Sequence, residues 1–268
     1  MLVAFWSPFQ GLGAVSSDVL ATVLATTISH KRSCSLMQLA YEDNGLFEYF
    51  MPTQDSNVGI SIFENTGIDA LLRNTRGKTA SPDEVIDSSF SFVEKKLNVF
   101  TPTRMSTEAI YVDGLLESFN NVAHSINDVF PLNFVDVPAG MSVYAKMIIP
   151  IADVVVVCLP QTKWAIEAYL KKYKIEGPKV LHVISEYDEK QSLNLFNLSF
   201  KYRHEFNGGL IGIPHCSDYA NACSLGKAVG FYLENANCTK QDVNYSFILS
   251  TKRIASEILK LCGIRGNE

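Results

Sequence analysis

FWSPFQGLGAVSSDVLATVLA, Phe5 to Ala25, runs from an apolar strand-like segment through a glycine-bearing turn into a helix. A turn of this kind wraps its backbone around a phosphate, because glycines tolerate the tight path and the helix N-terminus points its free amides at the anion. Gly11 and Gly13 supply the turn, and Ser16 and Ser17 supply hydroxyls of the type that reach a Mg²⁺ ion. A lysine normally completes such a loop, and Val15 stands in its place. Three readings stay open: the chain hydrolyses a nucleotide, it only binds one, or it has kept the architecture alone.

Composition narrows the field. The chain has 268 residues, 47% hydrophobic and 19% charged, which suits one α/β domain spanning 1–268. A net charge of −5 disfavours a surface given over to nucleic acid, so specific nucleic-acid recognition is not expected. The six cysteines show no CxxC spacing, which points to reduced thiols in a cytoplasmic protein rather than to a zinc site. MLVAFWSPF reads as a first strand and not as a targeting segment. The longest apolar run, Met147 to Pro160, is interrupted by Pro150 and Asp153, whereas crossing a bilayer takes about 20 apolar residues.

Short β-branched runs alternate with helical stretches along the chain. Strands are expected at Leu2–Trp6, Ser35–Leu39, Leu97–Phe100, Asn133–Val137, Val154–Leu159, Val180–Ile184 and Leu210–Ile213. Helices are expected near Ser17–Ser29, Pro82–Asp87, Thr107–Phe119, Val143–Ile151, Thr162–Tyr173, Gln191–Phe200, Ala220–Glu234 and Asn244–Cys262. The fold class is therefore α/β, a mostly parallel twisted sheet of about seven strands with helices on both faces. Residues 49–95, with the polar clusters TQDSN and RNTRGKTASPDE and a short apolar run at Val58–Phe63, read as a variable excursion or a small helical insertion.

A second segment bears on chemistry. In FVDVPAG, 134–140, an apolar strand delivers Asp136 to its carboxyl end just before a Pro138-Ala139-Gly140 turn. Open α/β sheets bind ligands outside the carboxyl ends of their strands, so an acid there can meet the Mg²⁺ of a phosphate held by the first loop. Turn capping by Asp136 and a positive φ at Gly140 would account for the same residues without any ligand.

Together these segments resemble the ParA/MinD group of P-loop proteins, which carry a deviant Walker A motif and a DxPAG switch. Laying KGGVGKTT on QGLGAVSS sets Gln10 at the signature lysine, Gly11 and Leu12 at the two glycines and Gly13 at the variable position. Ala14 falls at the last glycine, Val15 at the loop lysine, and Ser16 and Ser17 at the hydroxyls. Both lysines are absent. FVDVPAG and the following ADVVVVCLPQ match the group's switch and next strand. The resemblance implies that Ser185 of VISEYD stands where an Asn reads the adenine base, and that Pro214 of GIPH lies in the late base-pocket loop. It implies ATP and Mg²⁺ as ligands of an occupied site, with Ser16 and Asp136 toward the metal. The second strand, LMQLAYEDNGLFEYF, has Gln38 near the acid that helps place the attacking water in hydrolytic members, with Glu42 and Asp43 further along as loop acids.

Losing two cations, each making charge-assisted hydrogen bonds of ~1.5–3 kcal/mol, costs at least one to two decades of nucleotide affinity. Catalysis suffers more, because phosphoryl transfer relies on stabilising charge that develops in the transition state. The resemblance accordingly suggests a degenerate, scaffold-like member nearest in character to the bacterial TadZ/CpaE group, which localises a pilus-assembly or secretion apparatus. No catalytic residue is then expected, and Asp136 is the candidate only if the chain is active. Protein partners, a homodimer across the old nucleotide site, and a cytoplasmic location with recruitment to the inner membrane face or a cell pole follow from the same likeness. The alternatives are an active partition-type ATPase borrowing a cation such as Lys146, and an interaction module independent of nucleotide. TKRIASEILKLC, 251–262, has the pattern of a basic amphipathic membrane helix, but packing on the sheet explains it as well and is preferred.

Overall fold

The computed structural model describes residues 1–11, 15–41, 45–51, 66–175, 179–206 and 209–264. Eight strands form one sheet: β1 Leu2–Trp6, β2 Cys34–Gln38, β3 Phe90–Phe92, β4 Leu97–Phe100, β5 Leu132–Asp136, β6 Val154–Pro160, β7 Lys179–Tyr187 and β8 Leu210–Pro214. Their spatial order is β3-β4-β2-β5-β1-β6-β7-β8. Every pairing is parallel except that of β3 with β4. The sheet has one strand more than the expected seven, the addition being the short edge strand β3.

The helices are α1 Val15–Leu24, α2 Gly45–Glu48, α3 Gly67–Asn74, α4 Pro82–Asp87, α5 Glu108–Val129, α6 Val143–Ile148, α7 Lys163–Ala168, α8 Leu195–Lys201, α9 Ser217–Ser224, α10 Ala228–Asn235 and α11 Tyr245–Leu261. Two of them, α1 and α7, run on into π-helical turns at Ala25–Ser29 and Tyr169–Tyr173. In the first, the Thr26 and Thr27 hydroxyls bond back to the carbonyls of Thr22 and Val23, the competition with backbone hydrogen bonding that loosens a helix. The single helix expected over Ala220–Glu234 is two, because Gly226 takes a φ of 65° between them and ends the first. The helix expected at Thr107–Phe119 continues to Val129, since Val122, Ala123 and Ile126 prolong its buried stripe.

Alternation along the strands divides the interior into two layers. On β1, Val3 and Phe5 face a cluster containing Leu20, Val23 and Leu24 of α1 with Phe247, Ile254 and Ile258 of α11. Leu2, Ala4 and Trp6 face the opposite cluster, with Leu71 of α3, Tyr111 and Leu115 of α5, Ile148 of α6 and Ile166 of α7. β6 is buried from Val154 to Leu159 because both its faces are covered. The described part of the 49–95 excursion contributes α3, α4 and β3 on the β4 side of the sheet; its apolar run Val58–Phe63 lies outside the described residues.

The connection out of β1 leads to β2, and β5 later inserts between the two, while β6 lies on the other side of β1. The carboxyl ends of β1 and β5 therefore meet at the point where the winding changes direction, the place where an open α/β sheet forms its crevice.

Candidate functional site

Strand register brings Phe5, Asp136 and Gln38 level with one another on three adjacent strands. α1 starts at Val15 just above them, so the first helical turn hangs over the end of β5. The Ser16 hydroxyl donates to Asp136 Oδ2 at 2.5 Å, joining the first loop to the switch segment. Trp6 and Ser7 brace that segment: the indole Nε1 donates to the Gly140 carbonyl at 2.8 Å, and the Gly140 amide donates to the Ser7 carbonyl at 2.8 Å. Gly140 adopts a φ of 79°, which a side chain would strain.

Ser16, Gln38 and Asp136 are among the residues that line a cavity of about 570 Å³. It gathers Gln10, Gly11, Val15, Ser16 and Asp136 from among the expected site residues, and adds Gln38, Tyr41, Glu108 and Tyr144. Leu12, Gly13 and Ala14 lie outside the described residues, as do Glu42 and Asp43. Among the described residues of the wall the ionisable groups are Asp136, Glu108 and tyrosines, with no Lys, Arg or His. Lys146, the cation considered as a substitute, is exposed on α6 and lies outside the lining. The Tyr144 hydroxyl donates to Glu108 Oε1 at 3.1 Å, and that negative neighbour, after burial, holds the phenol above its usual range. Gln38 is 4% exposed, and its Oε1 is buried with no hydrogen-bond partner.

Ser185 and Pro214 do not join this cavity. Ser185 is buried on β7 and its hydroxyl donates to Asp18 Oδ2 at 2.5 Å. Pro214 borders a separate groove of about 710 Å³ with Tyr187, His215 and Arg253. His215 there meets Glu186 Oε2 through Nδ1 at 2.5 Å and Ser217 Oγ through Nε2 at 3.2 Å, so it is a hydrogen-bonded loop residue. Ser17 contributes its backbone carbonyl, which accepts from the Tyr219 hydroxyl at 3.2 Å.

Asp18, Glu108, Tyr41 and Tyr144 are the functional candidates that sequence reasoning missed. Asp18 is an acid in the first turn of a helix, an ordinary partner for the helix dipole, and nothing local reveals that Ser185 closes over it from 167 residues away. Its burial raises its pKa to about 8, with the nearby Glu186 pushing the same way and the Ser185 hydrogen bond pulling back. Cys158 on β6 feels burial first, then both Asp18 and Asp136, and its thiol is held well above the usual range.

The fit to a phosphate ligand can be judged from this donor set. Ser16 and Asp136 offer the hard oxygens that Mg²⁺ accepts, but among the described residues no group of three or more His, Cys, Asp or Glu could hold a metal ion. Among the described lining residues a triphosphate would face Glu108 and Asp136 with no Lys, Arg or His to neutralise it, so these residues do not supply the cation that phosphoryl transfer uses.

No family model matches the sequence, and no curated protein does. Solved structures do match in fold. A ParA family ATPase from Chlorobium tepidum TLS superposes with a TM-score of 0.70 at 10% identity, covering 95% of this chain and 98% of that one. The septum site-determining protein MinD from Pyrococcus horikoshii OT3, complexed with Mg-ADP, gives 0.61 at 14% identity over 100% and 99%. A putative plasmid partition protein from Borrelia burgdorferi B31, bound to AMPPNP, gives 0.58 at 14% over 97% and 98%. The chain has the ParA/MinD-like fold, as its loop and switch segments suggested.

Proposed function

We propose that this chain is a degenerate ParA/MinD-like protein that acts as a positioning or assembly scaffold, binding nucleotide weakly or not at all and hydrolysing none at a useful rate. One observation carries the reading: among the described residues, the wall of the cavity beneath the first loop holds two carboxylates and no cation, with Val15 and Gln10 at the positions of the group's lysines. Neutralising and stabilising transferred charge is most of what a phosphoryl-transfer site does, and this wall supplies the opposite sign.

The scaffold role is supported by apolar side chains displayed beside the same cavity. Met141 and Val143, between the lining residues Ala139 and Tyr144, are exposed. Trp164 is exposed as well and stacks on the lining residue Phe9 with ring centroids 5.0 Å apart. Exposed aromatic and methionine side chains at a rim are typical protein-contact material. The partner is a component of a pilus, secretion or partition apparatus, or a second copy of the chain, met in the cytoplasm at a pole or the inner membrane face.

Purified protein incubated with Mg·ATP tests the reading. Phosphate release should equal that of Asp136→Ala, and ATP binding should be weak or absent. Turnover above the Asp136→Ala background makes the chain an active ATPase and overturns the proposal.

A further inference from the structure

We propose that the cavity beneath the first loop is a receptor for an organic cation, a primary ammonium or guanidinium group on an apolar stem. The idea rests on the preceding reading, that the site has given up the triphosphate, and it names what the same walls now select. Four features converge. Asp136 and Glu108 place two carboxylates on the wall, and its described lining residues include no Lys, Arg or His. Gln38 Oε1, buried and level with Asp136, accepts no hydrogen bond, and its residue lines the cavity. A buried acceptor left without a donor is costly, and a ligand rich in N–H groups removes that cost. Glu108 uses Oε1 toward Tyr144, and its Oε2 has no partner among the described residues.

The fourth feature separates an organic cation from a metal ion. Tyr41 and Tyr144 form part of the wall, with Tyr111 behind and between them at centroid distances of 6.3 and 6.2 Å. Phe9, Val15 and Val137 add apolar surface. Aromatic rings favour ammonium and guanidinium groups through their negative faces, and an alkyl stem gains from the apolar surface, whereas Mg²⁺ or Ca²⁺ demands several hard oxygen ligands. The chemistry is shared by a free polyamine and by a Lys or Arg side chain offered by a partner protein.

Calorimetric titration of the full chain distinguishes these sources and tests the site. The probes are spermidine, the capped tripeptides acetyl-Gly-Lys-Gly-amide and acetyl-Gly-Arg-Gly-amide, and MgCl₂ alone. Saturable binding of an organic cation, weakened about tenfold in Gln38→Leu and at least as much in Glu108→Gln, is the expected result. Gln38→Glu should bind more tightly, and Glu94→Gln, which removes a remote exposed acid, should bind as the parent does. Gln38→Leu should melt no lower than the parent, because it removes an unsatisfied acceptor, so lost affinity is not confused with lost fold. A preference for spermidine identifies a free polyamine, and a preference for a tripeptide identifies a partner's side chain. Absence of saturable binding by every organic probe overturns the proposal, as do affinities indifferent to Gln38 and Glu108, or Mg²⁺ alone binding with the same dependence on them. ATP titrated in parallel keeps the two readings apart: ATP binding with turnover overturns the scaffold reading, while neither ATP nor cation binding overturns only the cation receptor.

Discussion

Asp18 and His182 give the chain opposing responses to pH. Burial raises the Asp18 pKa from 3.8 to about 8, so the folded state keeps a proton that the unfolded chain releases above pH 4. Its contribution to stability is complete below the unfolded pKa and falls away as pH rises toward 8. Burial lowers the His182 pKa from 6.5 to about 4, where its ring packs between Tyr169 and Phe206, so this group withdraws stability as pH falls through that window. The two slopes oppose each other on the acid side, and from about pH 6.5 to 8 only that of Asp18 remains. Asp18→Asn should therefore abolish the loss of stability between pH 6.5 and 8 and gain on the order of several kcal/mol at pH 8. Urea unfolding across that range checks it; a variant whose stability still declines over the window places the titration elsewhere. Residues of this kind were hidden from sequence reasoning by their long-range partners. Ser16 and Asp136 could be paired in advance because each sits in a recognisable local pattern, strand-turn-helix or strand-acid-turn, and their hydrogen bond joins those patterns. Glu108 is an acid in the first turn of α5, and only the fold sets it next to Tyr144 of α6.

At the scale of elements, legibility followed burial. β1 and β4 match their expected bounds, and β6 extends its expected segment by one residue, because runs buried on both faces leave little ambiguity. β3 escaped notice since it is three residues long, only half-buried, and closes a turn in which Val93, Glu94 and Lys95 all take positive φ. The basic amphipathic segment 251–262 is resolved by its packing. Thr251, Ile254, Ala255, Ile258 and Leu259 are buried within α11, against the layer that includes α1, and Lys252, Arg253 and Lys260 lie on the partly or fully exposed face. Ile254→Ala should cost about 2–5 kcal/mol of unfolding free energy, the range for truncating a large buried aliphatic residue. A denaturant titration measures it, and a loss below ~1 kcal/mol would mean that this face is not core. Among the described residues no helix is long and apolar enough to cross a membrane.

For the molecule as a whole, burial grades the cysteines. Cys34, Cys158 and Cys223 are buried, whereas Cys216, Cys238 and Cys262 are partly open. Burial raises all six thiols, so every reaction is slow, but access should still order them. Iodoacetamide labelling read by peptide mass spectrometry should modify the open three in folded protein and reach Cys34 and Cys158 only after unfolding. Early modification of Cys158 would contradict the burial of β6 on both faces. The parallel order of that sheet also bears on how the chain is made. β1 has no strand neighbour until β5 and then β6 exist, Val3 pairing with Phe134 on one side and Val154 on the other. At ~5–20 residues per second, the ribosome takes roughly ten seconds to supply the first of these partners. Throughout that interval LVAFW, buried along its whole length in the folded sheet, stands with both edges unpaired, apolar strand surface of the kind a chaperone covers.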